Sequence, residues 1–532
     1  MSNRRALGVL AGAQFLMVLD QSVMNVSISQ LVADFDTTVT TIQSVITFYS
    51  LVMAALMITG GKVGDMIGRR RAFTIGLVIY GFGSALTAVS WDVASLTIGW
   101  SVLEGIGAAL VLPALVALTA STFTGRERAG AYGVLGGVAG AGIAVGPILG
   151  GWLTTNLTWR LVFAGEVVLV IVLLLFAGAL HEGRREGAKP RLDWIGAVLS
   201  ALGLSTVVLG VLMSSTWGWI EPRNSPVEPF GFSLVPFLIG AGFVLLYLFA
   251  ERQHRLEQED RDPLVRLSML RNPVLSSGLQ MFCAQNLILL GIFFTIPLYL
   301  QVVQGFDAFE TGLRMLPVSI GMLLTGAIGG RISSRVAPRR IVRTGLVVTL
   351  LAVVLLLGTI DTTIDDLDFA IAMSALGLGM GLVVSQLGNA VQSAVGESER
   401  SEAGGLQYTS QQFGAALGTA LIGAVLISGL IGAFSNSVES DESIGAEAKA
   451  EVGIRLEGNV SFVSAAQIET AAEDFGVAEE EATALVDNYS DAQLRALKTA
   501  LLAAGFIVLI SLAGTRNLPR EPLDDPADTA PA

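Results

Sequence analysis

Three acidic residues stand inside long apolar runs, where no water is at hand to stabilise a carboxylate: Asp20 in LDQSVMNVSIS, Glu104 in WSVLEGIGAALVLPALVAL and Glu166 in FAGEVVLV. A charge at such depth costs about 2.5 to 3.5 kcal/mol on membrane-insertion scales, so each acid must be paired, hydrated or protonated. Groups so placed can exchange protons or recognise a cation, and Asp20, Glu104 and Glu166 are expected to do this. The alternative for Asp20 is a structural buried hydrogen bond, and that for Glu166 is a structural pair with Arg160. Uncharged polar side chains recur later, as Gln280, Gln285 and Asn286, as Ser385, Gln386, Asn389 and Gln392, and as Gln407, Gln411 and Gln412. Ser385 and Asn389, like Gln407 and Gln411, are four apart and share a helix face. They could line a substrate cavity or simply join neighbouring helices. Arg314 is a lone base in an apolar run, either snorkelling to the interface or acting as a counter-charge.

The elements that must position these residues are membrane helices. Of 532 residues, 52% are hydrophobic and 14% charged, against about 25% charged in an ordinary soluble protein. Apolar runs of about 20 residues, each long enough to cross a hydrocarbon core of roughly 30 Å, repeat along the chain. Fourteen spans are expected, near 7–30, 42–61, 72–90, 95–119, 129–153, 161–180, 194–214, 231–250, 274–300, 311–330, 341–360, 369–395, 404–433 and 494–514. With the N-terminus inside, 25 of the 32 Lys and Arg fall on cytoplasmic loops and tails, as basic residues are retained there. The first run opens the series with no cleavage-site pattern, so no processing is expected. The fold class is therefore an all-α polytopic membrane protein, with N- and C-termini cytoplasmic in a prokaryotic plasma membrane.

Other chemistries find no residues to carry them. The single Cys283 lies in an apolar run, and His181 and His254 lie in charged loops, so no intrachain disulfide, metal site or His-based triad is expected. Gly61-Lys62 is followed by Val63, and Leu56 stands where a nucleotide-binding loop needs its first glycine. No catalytic residue, no enzyme activity, no cofactor beyond a coupling proton and no nucleic-acid partner are expected. The net charge of -13 belongs mainly to residues 434–493, which hold fourteen acids against Lys449 and Arg455.

Two turns resemble each other. GKVGDMIGRRR, from Gly61 to Arg71, follows the second span; GRISSRVAPRR, from Gly330 to Arg340, follows the tenth. The repeat implies two six-span halves with spans seven and eight between them, and such repeats usually place the substrate at their interface. The expected divisions are 1–192 for the first bundle, 193–272 for the extra pair, 273–433 with 494–515 for the second bundle, 434–493 for an external acidic insertion and 516–532 for a disordered cytoplasmic tail.

The first turn, GAGIAVGPILGG in span five and LDQSVMNVSIS together resemble the major facilitator superfamily, in particular its fourteen-span drug:proton antiporters, over essentially the whole chain outside the insertion. The resemblance implies a major facilitator fold. It implies a conformational latch at Gly61, Asp65, Gly68, Arg69, Arg70 and Arg71, and a seal and pivot between the halves at Gly142, Gly146, Pro147 and Gly150. Three positions depart from the family pattern: Ser101 and Glu104 replace an arginine and a glutamine, and Glu166 stands where an amide is usual. The expected function is export of hydrophobic, cationic compounds in exchange for protons by alternating access, by a monomer. Export of a metabolite or lipid is the alternative; a non-transporting sensor or scaffold would need neither the glycine face nor the buried acids. Ser464 is expected to cap a helix at AAQIETAAED, and Ser490 with Gln493 to open the last span. The insertion is then a flexible loop or a helical cap able to meet an external partner or concentrate cations.

Overall fold

The computed structural model describes residues 2–123, 125–180, 191–333, 335–396, 399–441, 444–445, 462–474 and 479–521. The distal tail and His181 lie outside the described residues. Every regular element among them is a helix. We number the long ones α1 (Ser2–Val26), α2 (Val39–Ile67), α3 (Arg69–Ala88), α4 (Val93–Thr119), α5 (Gly125–Asn156), α6 (Arg160–Phe176), α7 (Trp194–Trp217), α8 (Val235–Gln258), α9 (Pro273–Leu298), α10 (Ala308–Ser333), α11 (Pro338–Thr359), α12 (Asp366–Ser393), α13 (Arg400–Ser440) and α14 (Glu479–Gly514). Thirteen are long and apolar enough to cross a bilayer. The remaining one, α10, stands in the place of the tenth expected span; its 26 residues, at about 1.5 Å each, also exceed the core thickness.

The last two helices overrun their expected ends and shorten the insertion between them. Phe434 of α13 meets Tyr489 of α14 edge-on at 5.2 Å, Asn488 donates to Asp441 at 2.6 Å, and the Val463 amide donates to the Tyr489 hydroxyl at 3.0 Å. A short helix, Ala465–Asp474, starts directly after Ser464. Ser490 is not a cap: it lies inside α14, and its hydroxyl donates to the Val486 carbonyl one turn back, as serine does within a helix.

Helices α1 to α6 pack among themselves, chiefly α3 on α4 and α6, α2 on α4, and α1 on α5; α9 packs on α13, and α12 on α10 and α11. The two sets meet along two seams, α5 against α10 and α2 against α13. The extra helix α7 covers the second seam, where Val208, Val211 and Leu212 bury themselves against Leu51 of α2 and Ala416 and Ala420 of α13. At the first seam the backbones touch. A Cβ on Gly312 would fall on the Pro147 carbonyl, and one on Gly151 on the Ala308 carbonyl. Gly142, Gly146 and Gly150 share the next face of α5 and meet Val18, Ser22 and Val23 of α1. That face therefore packs within the first six helices, and the seam itself is carried by Pro147 and Gly151.

Candidate functional site

The three apolar-run acids converge. Asp20 of α1, Glu104 of α4 and Glu166 of α6 each place a carboxyl oxygen within 4.8 Å of the other two, all buried. Local sequence explains how. Residues Thr97–Glu104 of α4 wind as a π-helix, which turns Trp100 and Glu104 toward α1 and α3. Gly83 lets α3 come close enough, since a Cβ there would lie 2.6 Å from Glu104 Cγ and 2.7 Å from the Gly99 carbonyl.

Each acid has polar company from a neighbouring helix. The Trp100 indole donates to Asp20 Oδ1 at 2.7 Å, and the Tyr49 ring stacks on Trp100 at 4.6 Å. Tyr80 and Ser84 of α3 both donate to Glu166 Oε2 at 3.1 Å. Thr87 Oγ1 lies 3.2 Å from Glu104 Oε1 and 2.9 Å from the Gly83 carbonyl. Thr87 has one proton, and the carbonyl can only accept it; a protonated Glu104 would then complete the set by donating to Thr87. The second oxygens, Asp20 Oδ2, Glu104 Oε2 and Glu166 Oε1, and the Tyr49 hydroxyl are buried without a hydrogen-bond partner.

Arg160 does not serve Glu166. It pairs with Asp34 at 3.0 Å, donates to the Ser90 carbonyl and lies 4.4 Å from the centre of the Trp159 ring. Arg314 likewise pairs with Asp366 at 3.0 Å. Two bare charges no more than 4.8 Å apart repel by about 3.5 kcal/mol or more even at an effective dielectric of about 20. Three carboxylates so placed cannot all be ionised, so they share protons or hold a cationic group and titrate as one unit.

Other expected site residues fall elsewhere. Asp65 pairs with Arg69 at 3.3 Å, Arg69 reaches the Ala117 carbonyl of α4, and Arg70 and Arg71 are exposed. Gly68 joins α2 to α3 at φ 104°, a conformation that favours glycine; Gly61 faces Pro113 of α4. At the same end Lys62 donates to the Pro263 carbonyl at 2.7 Å, and Arg266 pairs with Glu402 at 3.4 Å, so the loop before α9 links α2 to α13. Gln285 accepts from Asn286 at 2.9 Å, and Gln386 donates to the Gly329 carbonyl of α10 at 3.0 Å. Ser385 also meets Gly329, Gln280 and Asn389 are exposed, and Gln407 and Gln411 are half-buried.

The residues not foreseen are Tyr49, Tyr80, Ser84, Thr87, Trp100 and Gln21. Tyr80, Ser84 and Thr87 do carry a sequence signal, polar positions at i, i+4 and i+7 along α3. Gln21 links the two sets of helices by donating to Gln412 Oε1 of α13 at 3.2 Å.

Comparison with known proteins agrees with this architecture. The Major Facilitator Superfamily model matches residues 10–193 and 189–419. A puromycin resistance protein of Streptomyces alboniger is 31% identical over 79% of this chain and 81% of its own length. A cephamycin export protein of Amycolatopsis lactamdurans is 31% identical over 80% of this chain and 86% of its own. A probable actinorhodin transporter of Streptomyces coelicolor is 30% identical over 82% and 74%. Among solved structures, a bacterial homologue of the human lysosomal transporter Spinster shares the fold with a TM-score of 0.61, at 13% identity, over 98% of this chain and 99% of that one. With fourteen long helices among the described residues, joined along two seams, this chain is a multi-pass membrane protein and belongs to the major facilitator superfamily.

Proposed function

We propose that the protein exports hydrophobic, cationic compounds in exchange for protons, by alternating access, with both termini in the cytoplasm of a bacterial cell. The observation that carries this reading is the buried cluster of Asp20, Glu104 and Glu166, which has no Lys, Arg or His among its hydrogen-bond partners in the described residues. Such a cluster must hold positive charge from elsewhere, and a proton and a cationic substrate can compete for it. The relatives named for antibiotic resistance and export support a drug-like cargo, and a self-made natural product is as good a cargo as an acquired drug. Energy is sufficient: one charge crossing 100 mV releases about 2.3 kcal/mol, enough for a gradient of about fortyfold.

Everted membrane vesicles from a pump-deficient host test this, with ethidium as the probe. Accumulation that requires an imposed pH gradient and collapses with a protonophore is the expected result. Ethidium movement indifferent to the gradient would defeat the antiport, and no movement of any probe would point to a sensor or scaffold.

A further inference from the structure

Beside the carboxyl cluster runs a second polar connection that joins the two sets of helices. Asp20 and Gln21 are adjacent in α1 and, about 100° apart around the helix, face different neighbours. Asp20 turns to Trp100, while Gln21 reaches past α2, 3.7 Å from Met53 Sδ, to Gln412 of α13. Gln412 is 8% exposed. The Gln21 carbonyl also accepts from Asn25 at 2.9 Å, so the residue is held from both ends. One further bond crosses the same seam, from Gln43 of α2 to the Thr419 carbonyl, two turns along α13. The other carboxyls hang from α4 and α6, which the bond to Gln412 does not touch. A movement of α13 against α1 therefore acts through this bond on Asp20 alone, and reaches Glu104 only through the packing of α13 on α2 and on the far end of α4.

We infer that Gln412 is a positioning residue for coupling: through Gln21 it ties the stance of α13 to the place of Asp20 among the carboxyls, so proton exchange and rocking cannot proceed separately. This rests on the antiport reading. When the helices rock, the amide pair either carries α1 with α13 or breaks, and in both cases the spacing between Asp20 and Glu104 with Glu166 changes with the state of the carrier. Without the pair, Asp20 keeps one place in every state, and the cluster exchanges protons whether or not substrate is aboard.

The test uses the full chain in proteoliposomes, with ethidium as probe and an entrapped pH dye. Gln412→Leu should retain ethidium counterflow while its substrate-free proton leak rises about fivefold to tenfold, the range that loss of one hydrogen bond implies. Gln21→Leu should match it, the double variant should be no leakier than either, and Gln412→Glu, which keeps an acceptor for Gln21, should restore tight coupling. Wild-type leak and wild-type proton-to-ethidium ratio in Gln412→Leu would overturn the inference, as would additive effects in the double variant. Should Gln412→Leu fail to fold, Gln21→Leu carries the same test alone. Ethidium transport by the wild type that ignores an imposed pH gradient would instead remove the antiport reading, so the two failures are distinguishable.

Discussion

Gln301 donates its side-chain amide to the Val26 carbonyl at 2.9 Å, bridging the two sets of helices where α1 ends. Val26 is the last residue of α1, so its carbonyl lacks the partner that a continuing helix would provide. The same side chain accepts weakly from the Ser29 amide, at the start of the short helix Ile28–Asp34. One carboxamide thus pins a helix break from across the seam. Nearby, the Phe309 amide donates to Thr155, and about three turns deeper Ser319 donates to the Ile143 carbonyl, so the α5–α10 seam is joined at more than one level.

Removing that pin should favour the state open at this end. Loss of one hydrogen bond of about 1 kcal/mol shifts a two-state population about fivefold. Gln301→Ala, combined with Thr155→Cys in a Cys283→Ser background, should react faster by about that factor with an impermeant maleimide added outside. An unchanged rate would show that Gln301 does not hold the seam.

Trp100→Phe should slow transport while leaving the protein folded. Phenylalanine retains the stack on Tyr49 but removes the donor to Asp20, leaving that carboxyl without its 2.7 Å bond. Turnover about tenfold lower, with an unchanged melting temperature, is the expected outcome. A variant with normal turnover would detach the indole from the cluster's function.

Gly83 and Gly136 should respond oppositely to alanine. A Cβ at Gly83 would collide with Glu104 and the Gly99 carbonyl, whereas nothing lies within 4 Å of one at Gly136. Overpacking of this kind costs about 1 to 3 kcal/mol. Thermal melts of the purified protein should show a loss for Gly83→Ala and no loss for Gly136→Ala.

The junction of the extra pair should be acid-sensitive. Asp193, just before α7, pairs with Arg252 of α8 at 2.7 Å and accepts from Gln253 at 2.9 Å. Desolvation raises its carboxyl, but the Arg252 and Gln253 side chains and the Gly196 amide outweigh that and hold it below its ordinary value of 3.8. A depressed carboxyl stabilises the fold above its unfolded value and loses that contribution as pH falls through its lower folded value. Asp193→Asn should therefore melt lower than wild type at pH 7, and the gap should close on acidification below about pH 3.8. A gap that persists at low pH would mean that the charge is not what matters.

Much of this was legible in the residues themselves. Helix number and order follow from apolar run length, because a bilayer leaves the backbone few ways to satisfy itself. The three acids stood out because charge is rare at that depth. Their convergence did not show, since it depends on how α1, α4 and α6 pack and on the π-helical turn that aims Glu104. Gly142, Gly146 and Gly150 were readable as one face but not as the face toward α1, because four-residue spacing fixes a stripe and not its neighbour. Ser490 misled because a serine three residues before a glutamine resembles a helix start, while the apolar contacts of Tyr489 and Ala492 keep α14 continuous through it.

The most direct measurement is proton release on substrate binding, read with a pH indicator on purified protein in weakly buffered detergent. Ethidium added to the wild type should release protons, and Asp20→Asn with Glu104→Gln and Glu166→Gln should bind ethidium without releasing any. Binding by the wild type with no proton released, or undiminished release from the triple variant, would contradict the assignment of coupling to Asp20, Glu104 and Glu166.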